Sequence, residues 1–274
     1  MHNYKYILDN IKQAEFIAEP FPHLEINNFL SEEHLAIILA DDQIHFEPKA
    51  DNQQLYEALV GNGWKIQQFP GCTPSWEQYL NYLNGSYEKG GPDVGITFRL
   101  KKIKNQVVDG LIKFLNDDDF HNCLKEKFDL DVDTQIVSAI QKNLTGYEIS
   151  PHPDIRQKAL TYLLNINKNK EIESQDCHTY LLAFKPETKH IQENWAANTH
   201  QERGWVPWGY CNSVKTVNTN NTVVMFKPSS NPASLHAVKL NYDHLEYQRT
   251  QIYGNLMFDQ QVNSAALQAI NVLD

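Results

Sequence analysis

The feature that most constrains the fold is a succession of short strand patterns between Thr134 and Phe258. Apolar, aromatic and β-branched residues recur there in short runs separated by Asn, Asp, Gly and Pro, which is typical of strands joined by turns. The predicted strands are 134–144, 147–151, 158–167, 178–185, 214–217, 222–227, 235–240 and 248–258. Because the preceding part of the chain has mainly helical patterns, we expect helices packed on a β-sandwich or jelly roll.

Helix-start signals are found in the N-terminal region. Ser31 can accept a hydrogen bond from the first turn of a helix, and Glu33 adds a negative charge at the positive end of the helix dipole. Ser75 is a second candidate cap. The predicted helices are 31–39, 52–60, 75–83, 103–115 and 117–127.

We expect one domain over residues 1–274, of the α+β class and mainly β. Residues 1–133 form a helical and mixed support region, residues 134–258 the strand core, and residues 259–274 a C-terminal helix. The helices of the first region are expected to pack on one sheet, because an apolar sheet face must be buried against another layer of structure.

Charge and composition argue against several classes of partner. The 274 residues carry a net charge of −10, which opposes binding to a nucleic-acid backbone or to an anionic membrane surface. No apolar run approaches the roughly 18 residues of a spanning helix, and the N-terminus lacks the apolar region of a signal peptide. The four cysteines show no pairing pattern, so we expect reduced thiols in a cytoplasmic protein. No pattern indicates an oligomeric state.

His152 and Asp154 form the most informative motif. Side chains alternate along an extended strand, so these two residues lie on one face. An imidazole and a carboxylate side by side make two-thirds of the 2-His-1-carboxylate triad that holds non-heme Fe(II). Alone, the pair is also explained by a His–Asp hydrogen bond at a strand end.

The third ligand should come from a later strand, and His236 is the best candidate. Arg249 follows within an otherwise apolar strand pattern, where a guanidinium is rarely buried without an anionic partner. Its planar fork matches a carboxylate with two parallel hydrogen bonds. The residues therefore predict Fe(II) held by His152, Asp154 and His236, with Arg249 anchoring the distal carboxylate of a keto-acid chelator.

The order of these motifs resembles the Fe(II)/2-oxoglutarate-dependent oxygenases. Pro151-His152-Pro153-Asp154, followed by Leu160-Thr161 and Asn165-Ile166-Asn167, looks like the prolyl-4-hydroxylase-type branch. The similarity covers residues 134–258 well and residues 20–40 loosely. Asn165 stands where that branch often has Tyr, so the usual aromatic contact to oxoglutarate is either missing or supplied by another residue.

The resemblance implies a double-stranded β-helix, or jelly roll, that uses Fe(II), 2-oxoglutarate and O2, with ascorbate as a stimulating reductant. It implies a dioxygenase that hydroxylates a C–H bond of an amino acid, a peptidyl residue such as proline, or a small metabolite, releasing succinate and CO2. Halogenases of this superfamily have Gly or Ala where Asp154 stands, so Asp154 favours hydroxylation or desaturation. A non-catalytic, cupin-like metal-binding or sensing module is the alternative, although it would not need Arg249.

Further candidates for the pocket come from the resemblance and from the sequence pattern itself. Gln251 shares a strand face with Arg249, where related enzymes use Ser or Thr to hold the oxoglutarate carboxylate; simple packing is the alternative for this side chain. Tyr147 and Tyr162 are candidates for pocket contacts or, alternatively, for core packing. The irregular aromatic segment 195–210 is either a lid over the substrate or a plug at one end of the sandwich.

Overall fold

The computed structural model describes residues 4–68, 75–85 and 93–258, with side chains described from residue 95 onward in the last range. It combines helices with antiparallel sheets and is mainly strand. Within these ranges no helix has the length and apolar character needed to cross a membrane. The predicted C-terminal helix 259–274 and Cys72 lie outside the described residues.

Seven α-helices are found in the described ranges, and most begin at a side-chain cap. Ser31 accepts a hydrogen bond from the backbone N–H of His34, and Ser75 accepts one from Gln78, so both predicted caps are present. The helices are α1 Tyr6–Gln13, α2 Glu32–Leu39, α3 Asn52–Gly61, α4 Trp76–Leu83, α5 Gln106–Phe114, α6 Asp118–Lys127 and α7 His190–Ala197. The sequence patterns did not predict α1 or α7, and neither has a side-chain cap hydrogen bond.

The strands form two antiparallel sheets. They are β1 His23–Asn27, β2 Trp64–Ile66, β3 Asp93–Val94, β4 Thr97–Leu100, β5 Thr134–Asn143, β6 Glu148–His152, β7 Lys158–Asn165, β8 Thr179–Phe184, β9 Cys211–Val217, β10 Thr222–Phe226, β11 His236–Lys239 and β12 Thr250–Phe258. The larger sheet has the order β1-β10-β7-β12-β5-β4-β2, and the smaller sheet has the order β3-β6-β11-β8-β9. From β5 onward the chain therefore crosses between the sheets at every step except β8 to β9.

The two sheets face each other across an apolar layer. Leu163, Val224 and Phe226 of the larger sheet pack with Leu181 and Val217 of the smaller one. Burial of these side chains holds the sheets together, because each buried aliphatic or aromatic side chain contributes about 1.5–3 kcal/mol.

The opposite face of the larger sheet carries the helices. Leu160, Tyr162 and Leu164 of β7 belong to one core that also contains Ile7 of α1 and Phe120 of α6. Since β-strand side chains alternate, β7 directs its even-numbered residues toward the helices and its odd-numbered residues toward the smaller sheet. This two-sided burial explains the nearly continuous apolar run in its sequence.

Segment 195–210 packs beside the outer face of the smaller sheet. Trp195 and Val206 share a core with Leu182, Leu235 and Ala237. Trp195 belongs to the last turn of α7, so this part of the segment is helical and was not predicted to be. The segment therefore has a structural role, in addition to its position beside the site described below.

Gly254 makes room for Tyr162 on the helical side of the larger sheet. The two residues are register partners in β12 and β7, and a Cβ built on Gly254 would lie 2.2 Å from the Tyr162 ring. The Tyr162 hydroxyl in turn forms a hydrogen bond with Ser138 of β5. The packing of Tyr162 across β7, β12 and β5 therefore requires glycine at position 254.

We predict that Gly254→Ala lowers the free energy of unfolding by about 1–3 kcal/mol, because the methyl group overpacks this contact. Denaturant-induced unfolding measures the change. Gly61→Ala is the control, since nothing lies within 4 Å of a Cβ at that position. Equal stability of Gly254→Ala and wild type would contradict this packing.

Candidate metal and cosubstrate site

Three potential metal ligands meet where β6 pairs with β11. His236 at the start of β11 is the register partner of His152 at the end of β6. Asp154 follows β6 in a left-handed backbone conformation, with φ of 64°, which Asp tolerates better than most residues. One donor atom from each side chain lies within 4.8 Å of the others. The structure thus brings together the three residues that were singled out from the sequence.

Backbone carbonyls fix the orientation of both imidazoles. Nδ1 of His152 lies 2.8 Å from the carbonyl oxygen of Ser150, and Nδ1 of His236 lies 3.0 Å from that of Ser234. A carbonyl oxygen only accepts, so each Nδ1 carries a proton, and in the neutral form of either ring the lone pair is then on Nε2. The Nε2 atoms lie 3.7 Å and 3.6 Å from the two carboxylate oxygens of Asp154. This is the orientation that metal-binding histidines use.

Asp154 is held ionised by its neighbours. The Thr161 hydroxyl donates to Oδ2 at 2.7 Å, and Lys158 Nζ lies 2.5 Å from Oδ1. Burial alone would raise the pKa of Asp154, but Lys158 and the two imidazoles hold it well below its usual range. Burial lowers the pKa of His236 to about 4. Near neutral pH the site therefore offers a carboxylate and a neutral imidazole from these two residues, which fits a divalent transition metal.

Arg249 is a buried guanidinium immediately before β12. Nη1 donates to Asn143 Oδ1 at 3.0 Å, and Nη2 donates to Thr179 Oγ1 at 2.8 Å. Both acceptors are neutral, and no carboxylate of the described residues forms an ion pair with Arg249. A buried cation without an anion is costly, so this guanidinium is suited to bind an anionic group.

Two other predicted pocket residues lie near Arg249. Gln251 is two residues further along β12, and its Nε2 donates to Asn165 Oδ1 at 2.8 Å. Asn165 therefore contacts Gln251 directly. Tyr147 is buried and interacts electrostatically with Arg249.

The pocket role suggested for Tyr162 is wrong. This side chain lies on the helical face of β7, packs edge-on against Phe120 and forms a hydrogen bond with Ser138. Its neighbours Thr161 and Leu163 point the other way, toward the smaller sheet. Tyr162 instead packs in the core, which was the alternative suggested from the sequence.

Sequence reasoning missed several residues that complete the site. Lys158 contacts Asp154 and also donates to the Tyr253 hydroxyl at 3.0 Å. Thr161 and Thr179 donate to Asp154 and accept from Arg249, respectively. Strand alternation could have found Thr161, because it shares a face with Leu163 and Asn165. Nothing in the local pattern distinguishes Thr179 from other strand threonines.

Comparisons with known proteins give similarities at the level of structure only. No protein-family model and no curated protein matches the sequence. The chain is similar to a Pseudomonas putida prolyl-4-hydroxylase (TM-score 0.48, 9% identity, 93% of this chain and 98% of that chain). It is also similar to a Trichoplax adhaerens prolyl hydroxylase in complex with a hypoxia-inducible-factor peptide fragment (TM-score 0.45, 11% identity, 93% and 89% covered). A third similarity is to SnoK, a non-heme α-ketoglutarate-dependent carbocyclase of nogalamycin biosynthesis (TM-score 0.39, 11% identity, 96% and 89% covered).

We predict that His236→Ala abolishes tight binding of one divalent transition metal ion, because only two of the three protein donors remain. Anaerobic titration with Co(II), followed by its visible absorption, measures binding. His190→Ala removes an exposed imidazole and is the control. Unchanged Co(II) affinity in His236→Ala would show that the ion binds elsewhere.

Thr161→Val is predicted to weaken Co(II) binding about 10- to 100-fold, because outer hydrogen bonds of this kind orient the ligands. Thr161→Ser retains the hydroxyl and should retain most of the affinity. Equal affinity of the Val and Ser variants would mean that the hydrogen bond to Asp154 does not tune the metal.

Proposed function

We propose that this protein is an Fe(II)- and 2-oxoglutarate-dependent dioxygenase that hydroxylates a C–H bond of an amino acid, a peptidyl residue or a small metabolite. The observation that carries the proposal is the combination of a His-Asp-His donor set with a nearby buried guanidinium that forms no ion pair with any described residue. A metal-binding or sensing module would share the donor set but would have no use for Arg249.

The spacing of the two features along β8 and β11 supports this reading. Thr179, which accepts from Arg249, is the register partner of Val238, two residues beyond His236. Two strand residues span roughly 7 Å. A five-carbon dicarboxylate extended between the metal and Arg249 requires a separation of this order.

The strand order supports a double-stranded β-helix. Strands β5 to β12 contribute four to each sheet, in the orders β10-β7-β12-β5 and β6-β11-β8-β9. In this proposal the ligands sit between the sheets, His152 and His236 on the smaller one and Arg249 at the start of β12 on the larger one. Rigid strands are the preferred support for such a site, because small displacements of ligands are costly.

When bound, ferrous iron and 2-oxoglutarate supply the oxidising chemistry: with O2 they convert R–H to R–OH while oxoglutarate becomes succinate and CO2. Ascorbate would sustain the reaction by keeping the iron ferrous. The chain's own contribution is to place donors and to exclude water. The Phe226 ring packs 4.7 Å from the His236 ring, and the Trp205 ring lies 6.4 Å from that of His152, measured between centroids.

We predict that Arg249→Gln weakens 2-oxoglutarate binding at least about 30-fold while leaving metal binding nearly unchanged. The reason is that removing one partner of a buried charge pair costs about 2–5 kcal/mol. The visible charge-transfer band of the anaerobic Fe(II)–oxoglutarate complex measures affinity, and succinate release measures turnover.

Arg249→Lys keeps the charge but loses the planar fork, so it should fall between wild type and Arg249→Gln. Lys239→Gln removes an exposed cation from β11 and is the control. Absence of the band in wild type would contradict the proposed function. Equal oxoglutarate affinity in Arg249→Gln and wild type would mean that another residue binds the distal carboxylate of oxoglutarate.

A further inference from the structure

A second buried guanidinium, that of Arg203, belongs to segment 195–210, which is attached to the segment of His152 and Asp154. Arg203 is 8% exposed. Nη1 donates to Ser230 Oγ at 3.4 Å, and within the described ranges Nε is buried without a hydrogen-bond partner. Buried polar atoms of this kind are rare and require an explanation.

The segment that carries Arg203 is fixed to the first two ligands. Arg156, two residues after Asp154, donates to the carbonyl oxygens of Trp195, Asn198 and Gln201. On the other side of Arg203, the backbone N–H of Val206 donates to the carbonyl oxygen of Pro151 at 2.9 Å. Arg203 is thus held between two attachments to the segment that contains His152 and Asp154.

The loop 229–234 connects Arg203 to the third ligand, His236. Ser230, the hydrogen-bond partner of Arg203, belongs to this loop, which leads directly into His236. Ser234 of the same loop contacts the carbonyl oxygen of Pro153, which lies between the first two ligands. Arg203 therefore lies where the two ligand-bearing segments meet. Solvent reaches this edge of the site, since Trp205, whose ring centroid lies 6.4 Å from that of His152, is 46% exposed.

The charges around Arg203 do not neutralise it directly. Glu202 accepts from the backbone N–H of Arg156, and Asp154 is paired with Lys158. No carboxylate of the described residues forms an ion pair with Arg203 itself. Glu202 and, more weakly, Asp154 nevertheless interact with it electrostatically, while Arg156 repels it. Three cations therefore accompany two carboxylates here, although the whole chain has a net charge of −10. A metal ion would add to this local excess.

We infer that the substrate carries an anionic group, a carboxylate or a phosphate, which Arg203 binds beside the metal. This inference rests on the proposed function for the metal, and it adds the class of substrate. Arg203 is distinct from the anchor assigned to oxoglutarate, because Arg249 bonds to residues of β5 and β8, whereas Arg203 bonds to the loop before β11. The Nε–H and the remaining N–H groups would donate to the anion.

Three small probes with one methyl group each test this site in protein loaded with Mn(II) and 2-oxoglutarate. Acetate, methyl phosphate and acetamide differ in charge but report through the same kind of proton signal. We expect Mn(II) to enhance the methyl relaxation of at least one anion about tenfold more than that of acetamide, which corresponds to one charge-assisted hydrogen bond. The stronger anion identifies carboxylate or phosphate as the preferred group.

Arg203→Gln should reduce the enhancement for the anions to the level of acetamide, and Arg203→Lys should retain part of it. Lys239→Gln is again the charge-matched control. An anion bound directly to the metal would keep its enhancement in Arg203→Gln, and this result would overturn the inference. Equal enhancement by acetate, methyl phosphate and acetamide in wild type would also overturn it.

Two further measurements separate this inference from the proposed function. Loss of the free Mn(II) paramagnetic resonance signal shows that the metal is bound; failure to bind would overturn the metal centre and this inference together. Normal metal and oxoglutarate binding without selective anion relaxation would overturn the Arg203 site alone. A weaker oxoglutarate affinity in Arg203→Gln would assign this residue to the cosubstrate and overturn its role in substrate binding.

Discussion

The pairing of β6 with β11 is the constraint on which the site depends. These strands are far apart in sequence, yet their register places His152 opposite His236 and leaves Asp154 at the turn that follows. Hydrogen bonds from each Nδ1 to a carbonyl two residues earlier then aim both Nε2 atoms at the carboxylate. The backbone of β6 and of the loop that enters β11 thus orients both imidazoles.

Buried cations recur throughout this fold and are stabilised in different ways. Lys142 points to the helical side of β5, where burial lowers its pKa well below the usual range, and its Nζ lies 5.0 Å from the Trp64 ring centroid and donates to the Thr250 hydroxyl. Its neighbour Asn143 points the other way and holds Arg249. Aromatic faces can stabilise a desolvated cation by about 2 kcal/mol. Arg249 and Arg203 have no such aromatic contact within the described residues, which is why they are better suited to an anion.

Much of the architecture follows from local sequence signals, but the sidedness of some residues does not. The core strands and the helices capped by Ser31 and Ser75 were predictable because alternation, turn residues and caps act locally. The face of Tyr162 was not, since β7 is apolar on both sides and a period of two then gives no direction. Likewise, the contacts of Lys158 and Thr179 depend on which strands become neighbours, and this is a property of the whole fold.

The left-handed backbone at Asp154 restricts what can replace this ligand. Most side chains are strained in that conformation, and a longer Glu would also move its carboxylate away from the imidazoles. Glycine adopts it freely, so the substitution that best preserves the turn is also one that deletes a ligand. A mutation of Asp154 to glycine would therefore free one coordination position of the proposed metal for an ion from solution and leave the sheets intact. New reactivity at this position would not require a change of fold.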